Sequence, residues 1–444
     1  MRDALLFGSI LIAVGLPIFE TQLVMMFSAK VVPILLSLSL GLMLLSNLHN
    51  GRLQVRVNVP VYYVCWLLLC VIFSYGFIKR EYIIVSKIYF FVVFAFFIYK
   101  TQNWWNFFWK TMVALSALSV ISTYFFYFFS NAYAVMVDFY GYYPGGTGKL
   151  IYGYRAGISG HYSHNTIMIA VFIIMLVCKL LSMQESKDRA RKRAVCWIAI
   201  VFAIIALLMT GKRGTTVWCA VAVLFTVFVN CRNKSRRLAK AILLVVVLVF
   251  VLQLASLVIP EVESIIMRVA LIGKDVGSLE RIAMWSLALN GFLKAPILGI
   301  GFTNFRDLYS NELAHLFHDG EELIRFQRLD AHNVYVQVFC ETGVVGGIIY
   351  LAAVTLLLLQ TIRLVRYFSG TDKQVCRLGA LCSLCLQVFY LTYSLSGNCL
   401  YDCVFYFYGM AMALTMSLSY AKKESKQRND LCEKNRNPDI SQCM

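Results

Sequence analysis

The amino-acid sequence predicts an all-α, polytopic integral membrane protein with about 12 transmembrane helices and one large outward loop between spans 9 and 10. Three observations lead there. Of 444 residues, 60% are hydrophobic and 14% charged, and mean hydropathy is +0.70, whereas charged residues make up about 25% of an ordinary soluble chain. Apolar runs recur along the whole length, each near the ~20 residues a helix needs to cross a hydrocarbon core of ~30 Å. Their pattern is helical, which excludes the alternating strands of a membrane barrel.

The first span, residues 4–20, has the position of a signal peptide, but no small-residue cleavage site follows and similar segments come after it. The others are expected at 28–46, 59–77, 82–99, 107–130, 163–181, 194–210, 214–230, 240–259, 333–360, 376–395 and 401–420. Residues 1–420 thus form the transmembrane domain, with the loop 260–332 inside it. The tail 421–444 is polar, charged and poor in aromatics, and is expected to be cytoplasmic and disordered.

Lysine and arginine collect in alternate short loops, at Arg52 and Arg56, at 187–193, at 232–240 and at 363–377. The positive-inside rule makes those loops and both termini cytoplasmic. Most of the net charge of +18 is explained this way, so it does not point to nucleic acid. The fourteen cysteines lie mostly inside apolar runs, where a thiol packs as a small hydrophobe.

Cations left on the outward side need another cause. Lys212 and Arg213 sit in the tight turn TGKRGTT, Lys79 and Arg80 in another, with Lys87 expected on the same helical face as Arg80. Snorkelling to lipid phosphate is the plain explanation for the second group. In the large loop Arg281 stands out, at the head of a helix capped by Ser278 and beside an apolar stripe of Ile282, Trp285, Leu289 and Phe292. A guanidinium stays charged and binds phosphate through two parallel hydrogen bonds, so several facing one cavity suit a diphosphate.

Five of six histidines fall on the outward side. His332 opens a span between Asp330 and Asn333, where an imidazole with an ordinary pKa near 6.5 is a workable general base for a hydroxyl. The pairs His161/His164 and His315/His318 have metal-ligand spacing, yet no neighbouring cysteine completes either site. No metal and no cofactor is therefore expected. The segment PGGTGKL departs from a phosphate loop at both ends.

Taken together, Arg281, Trp285, Pro296-x-x-Gly299-x-Gly301, Asn304, His332-Asn333 and, after nine residues, Gly343-x-x-Gly346 resemble the O-antigen ligase and O-antigen polymerase superfamily. The turn at Arg213 and the segment from Arg155-Ala156-Gly157 to His164-Asn165 add to the likeness, which covers about residues 150–350 by motif. The resemblance implies a metal-independent inverting glycosyltransferase of the bacterial inner membrane, multi-pass, with its site facing the periplasm. Its donor would be a glycan on undecaprenyl diphosphate, and its acceptor lipid A core (a ligase) or another lipid-linked glycan (a polymerase). Carried over by position, His332 would activate the acceptor hydroxyl while Arg213 and Arg281 hold the diphosphate. Lys212, Arg155, Lys79, Arg80 and Asn333 would bind diphosphate or glycan. The insert 307–329 would shape the acceptor site. A transporter is the competing class, disfavoured because intramembrane ionisable residues are few, chiefly Lys87 and Glu341.

Overall fold

The computed structural model describes residues 2–49, 52–53, 59–99, 104–140, 153–183, 190–231, 276–308, 330–371 and 373–436. The regular elements among the described residues are helices, apart from a two-rung pairing of Leu48–His49 with Arg52–Leu53. In chain order the helices are α1 (Arg2–Phe27), α2 (Val31–Ser46), α3 (Val61–Phe73), the single turn α4 (Tyr75–Ile78), α5 (Tyr82–Ile98), α6 (Trp104–Phe128) and α7 (Ser130–Tyr140). After a short 3-10 segment, Gly153–Ser159, come α8 (Tyr162–Ser182), α9 (Ala190–Met209), α10 (Arg213–Asn230), α11 (Val276–Lys294), α12 (Val334–Phe368), α13 (Gln374–Tyr393) and α14 (Val404–Arg436).

Nine of these helices are long and apolar enough to cross a membrane, and α2 and α5 are shorter apolar helices. Twelve spans are therefore not reached among the described residues, and the expected span 240–259 lies outside them. So do His315, His318 and most of the insert 307–329. The expected outward loop is described over α11 and the turn that follows it. α14 runs to Arg436, well past residue 420, where Ala, Lys, Glu, Gln and Arg are good helix formers.

Burial sorts the helices into an inner and an outer set. Within the most apolar window, α8 and α14 are each 83% buried and α13 72%, against 22% for α10 and 33% for α9. The inner helices carry side chains that bond across the bundle. Gln387 donates to the hydroxyls of Thr361, Ser383 and Thr415, tying α13 to α12 and α14, and Ser9 and Ser39 bond each other's backbone between α1 and α2. Such bonds hold helices where lipid supplies no hydrophobic drive.

Lys87 is only 3% exposed and pairs with Glu20 at 2.5 Å, with its ammonium 5.2 Å from the ring centre of Tyr406. The outward cationic face expected of Arg80 and Lys87 therefore does not form, because a lysine one turn into a span is neutralised by a carboxylate from α1. The twelve cysteines whose side chains are described are free, and Cys382, Cys385, Cys399 and Cys403 are buried thiols.

One feature of α12 decides how its N-terminal end is aimed. At Gly343 the backbone turns to φ 63°, ψ −166°, which interrupts the helix and releases the hydrogen-bonding groups on either side. The turn after α11 takes them up. Ile300 N donates to Cys340 O (3.0 Å), Gly301 N to Glu341 O (2.9 Å), Val344 N to Pro296 O (2.8 Å) and Val345 N to Ile297 O (3.2 Å). Backbone groups buried in a membrane must be paired, so the turn 296–301 is structurally part of the helix it repairs.

Candidate functional site

His332 lies just before α12 with a positive φ of 51°, a conformation that costs a residue with a side chain roughly 1–3 kcal/mol. Its neighbours hold it there from every side. Ala331 N donates to Gln337 Oε1 (3.0 Å), and Ala331 O accepts from Trp285 Nε1 of α11 (2.9 Å). Asn333 Oδ1 accepts from Tyr335 N and Val336 N, capping α12, and Val334 N donates to Ser394 O. The amide oxygen of Asn333, expected to bind substrate, is thus committed to the helix end.

Asp330 fixes the other flank. Arg306 grips it with Nε on Oδ1 and Nη2 on Oδ2, both at 2.8 Å, and Gln337 Nε2 reaches Asp330 Oδ1 and Glu341 Oε1, each at 3.1 Å. Burial alone would lower the Arg306 pKa, but Asp330 and then Glu81 raise it, so the guanidinium stays charged. Replacing Arg306 with alanine leaves a buried carboxylate unpaired and is expected to cost about 3 kcal/mol. Thermal unfolding of purified protein reads that loss directly.

Around His332 the chain gathers cations from two elements. Arg281 and Lys212 both act on the imidazole electrostatically, and Arg281 acts on Lys212. Lys212, in the turn before α10, donates from Nζ to Ser163 Oγ at 2.6 Å, and its ammonium lies 5.1 and 5.4 Å from the ring centres of Tyr162 and Tyr393. Burial, and less strongly Arg281, pull its pKa down to about 8 against the attraction of Asp402. Burial and then Arg281 lower the pKa of His332, while Asp330 and Asp402 oppose them. The imidazole is consequently neutral, and able to accept a proton, across the neutral pH range.

Asp402 is the carboxylate among these cations. Its Oδ1 meets His164 Nε2 at 3.0 Å and accepts from Cys403 N at 2.6 Å, while Thr21 Oγ1 lies 3.4 Å from His164 Nδ1. Burial would raise its pKa, but His164 and Lys212 hold it well below the usual carboxylate range. His161, whose Nδ1 caps α8 by accepting from Ser163 N, is pushed down to about 3, first by burial and then by His164. Ligand atoms of His164, Asp402 and Cys403 lie within 4.8 Å of one another. One histidine of that pair, His164, thus meets a cysteine after all, brought by the fold rather than by spacing, though Lys212 beside it opposes a dication.

Of the residues singled out in the sequence, Lys212, Arg281 and His332 are brought together, and Arg213 opens α10 directly after Lys212. Arg281 borders the apolar stripe at Trp285 and Phe292, while Ile282 and Leu289 on the stripe's far side are exposed. It lies in register with Met284, Ala288 and Gly291, the face α11 buries, and Ser278 falls inside the helix, which begins at Val276. The segment around Arg155 is clamped: Asn165 Nδ2 donates to Arg155 O and Thr123 Oγ1, and at Gly157, with φ 50°, any Cβ would strike the Asn165 side chain. Lys79 and Arg80 are exposed in the turn before α5, with Lys79 Nζ 3.5 Å from Asp307. That turn meets the Arg306 network through Glu81, 3.8 Å from Arg306, not the Lys212 cluster. Sequence reasoning missed Asp402, Ser163, Arg306 and Gln337.

Residues 198–351 match the sequence family described as O-antigen ligase. The match takes in Lys212, Arg213, Arg281 and His332, and no curated protein matches the chain.

Proposed function

We propose that this chain, a multi-pass membrane protein carrying an O-antigen ligase domain, transfers a glycan from undecaprenyl diphosphate to a sugar hydroxyl of lipid A core at the periplasmic face of the bacterial inner membrane. The observation that carries this reading is a histidine whose flanking backbone is tied down at a positive φ, with Arg281 and the anchored Lys212 acting on its imidazole. The acceptor hydroxyl attacks the anomeric carbon from the face opposite the diphosphate. Its proton passes to His332 as the new glycosidic bond forms, the bond to the diphosphate oxygen breaks, and configuration inverts in this single displacement. Arg281, Lys212 and Arg213 take the charge that builds on the departing diphosphate, the kind of preorganised stabilisation worth about 10²–10³ in rate for a single group. No metal is needed where guanidinium and ammonium groups supply that charge. The chain's own groups bind the anion and move one proton.

The test is reconstitution in liposomes with lipid-linked glycan and lipid A core, without nucleotide or ion gradient and with a chelator present. Transfer is expected, and inactivity under those conditions with glycan crossing the vesicle instead would replace this reading with transport. Deleting the gene separates the two enzyme readings on a lipopolysaccharide gel. Bare core is expected for a ligase, and core bearing one repeat unit would establish a polymerase.

A further inference from the structure

We propose that Trp285 and Gln337 are positioning residues for the reaction: from two helices they grip the peptide groups on either side of Ala331, and so fix where His332 stands relative to Arg281. The inference rests on the glycan-transfer reading above, in which His332 takes the acceptor's proton.

Ala331 is fully buried and precedes α12, which begins at Val334, so its N–H and C=O have no place in that helix's ladder. The N–H donates to Gln337 Oε1 of α12 (3.0 Å), and the C=O accepts from Trp285 Nε1 of α11 (2.9 Å). His332 follows at φ 51°. The two peptide planes that lead into the strained residue are therefore each held by a side chain, one from each helix.

Gln337 can be oriented in only one way. Arg306 grips Asp330 through both carboxylate oxygens, so that carboxylate is ionised and can only accept hydrogen bonds. Gln337 Nε2 consequently donates to Asp330 Oδ1, and also to Glu341 Oε1, which leaves Oε1 for Ala331 N. The amide is 1% exposed and cannot rotate without breaking contacts to three residues.

Trp285 supplies the other half of the relation. It lies four residues after Arg281 on α11, about 6 Å along the axis, and residues at that spacing share a helix face. Its indole thus ties the turn carrying the base to the helix carrying the arginine, one turn from that arginine.

The helices do not need this tie in order to pack. α11 and α12 are already joined at their other end, where the turn 296–301 exchanges backbone hydrogen bonds with 340–345 and Phe292 meets Phe339, 6.3 Å between ring centres. What Trp285 and Gln337 add falls on the turn 330–332. A pairing that only satisfied buried backbone would matter equally with or without the imidazole, whereas a positioning pair affects the rate only through it.

The experiment compares transfer kinetics of the full chain, in liposomes with lipid-linked glycan and lipid A core, in wild-type and His332→Ala backgrounds. Trp285→Phe removes one N–H and keeps an aromatic ring; Gln337→Met removes the amide and keeps its length. Each is expected to lower kcat about 10- to 100-fold, the scale of a misplacement of about 1 Å. KM for the donor should stay within about 2-fold, since the cations that bind it are left in place. In the His332→Ala background neither is expected to lower the residual transfer further, because the group through which they act is gone. Unchanged kcat, a matching loss of donor binding, or an equal loss of rate in the His332→Ala background overturns the positioning role. Should Gln337→Met fail to fold, Trp285→Phe decides, and failure of both to fold assigns the pair to structure and likewise overturns it. Transfer by His332→Ala at the wild-type rate sinks the general-base reading itself, and that result needs neither variant, so the two failures are distinct.

Discussion

Replacing His332 with alanine is expected to lower glycan transfer by about 10²–10⁴-fold, the range for removing a positioned general base, while donor binding changes little. The expectation follows from the number of groups committed to placing one residue. Trp285, Gln337 and Ser394 all bond the backbone within two residues of His332, and the residue sits at a positive φ that its side chain disfavours. Strain kept against such opposition is characteristic of a site that needs a particular geometry. A single-turnover assay with preformed donor complex separates chemistry from binding, and transfer within a few-fold of wild type would remove His332 from the reaction.

The pH profile of kcat/KM checks the same assignment. His332 must be neutral to accept a proton, and burial and Arg281 lower its pKa from the ordinary value. Activity is lost as pH falls through that lowered pKa, so the acid limb lies below about 6.5. Lys212 must be charged to hold the anion, and its pKa lies at about 8, so activity declines above that pH. An acid limb well above 6.5 contradicts a buried imidazole beside a guanidinium.

How much of this was legible in the amino-acid sequence depends on the distance over which each signal acts. Eleven of the twelve apolar segments expected coincide with described helices, because span length is a local property of composition. Lys212, Arg281 and His332 stood out because cations on the translocated side and a histidine at a span boundary break local rules. Asp402 did not, since a carboxylate at the head of α14 acquires its meaning from His164, 238 residues away in the chain. Lys87 was misread for the same reason, as its partner Glu20 lies on another helix. The Pro296 to Gly301 and Gly343 to Gly346 pattern was visible as spacing, but its cause is an exchange of four backbone hydrogen bonds between the two segments.

That exchange makes Gly343→Ala the substitution with the largest expected effect on stability. At φ 63° and ψ −166° the residue occupies a region that is essentially closed to side chains, at a cost of order 1–3 kcal/mol. A Cβ there would also meet the backbone at Ile297 and Gly299, and backbone cannot swing aside as a side chain can. Overpacking adds about 1–3 kcal/mol, so the two effects together reach about 2–6 kcal/mol, a large part of the ~5–15 kcal/mol that holds a typical domain. The damage is directional, because the turn 296–301 leaves α12 and takes with it the aim of the segment that carries His332. Gly379→Ala in α13 supplies the contrast: a Cβ there finds Leu418 at an ordinary 3.6 Å, and alanine is the better helix former by about 0.5–1 kcal/mol. Thermal unfolding in detergent should therefore place the two variants on opposite sides of wild type, with transfer lost in Gly343→Ala alone. Equal stability of the two would mean that the break in α12 is not held by the turn packed against it.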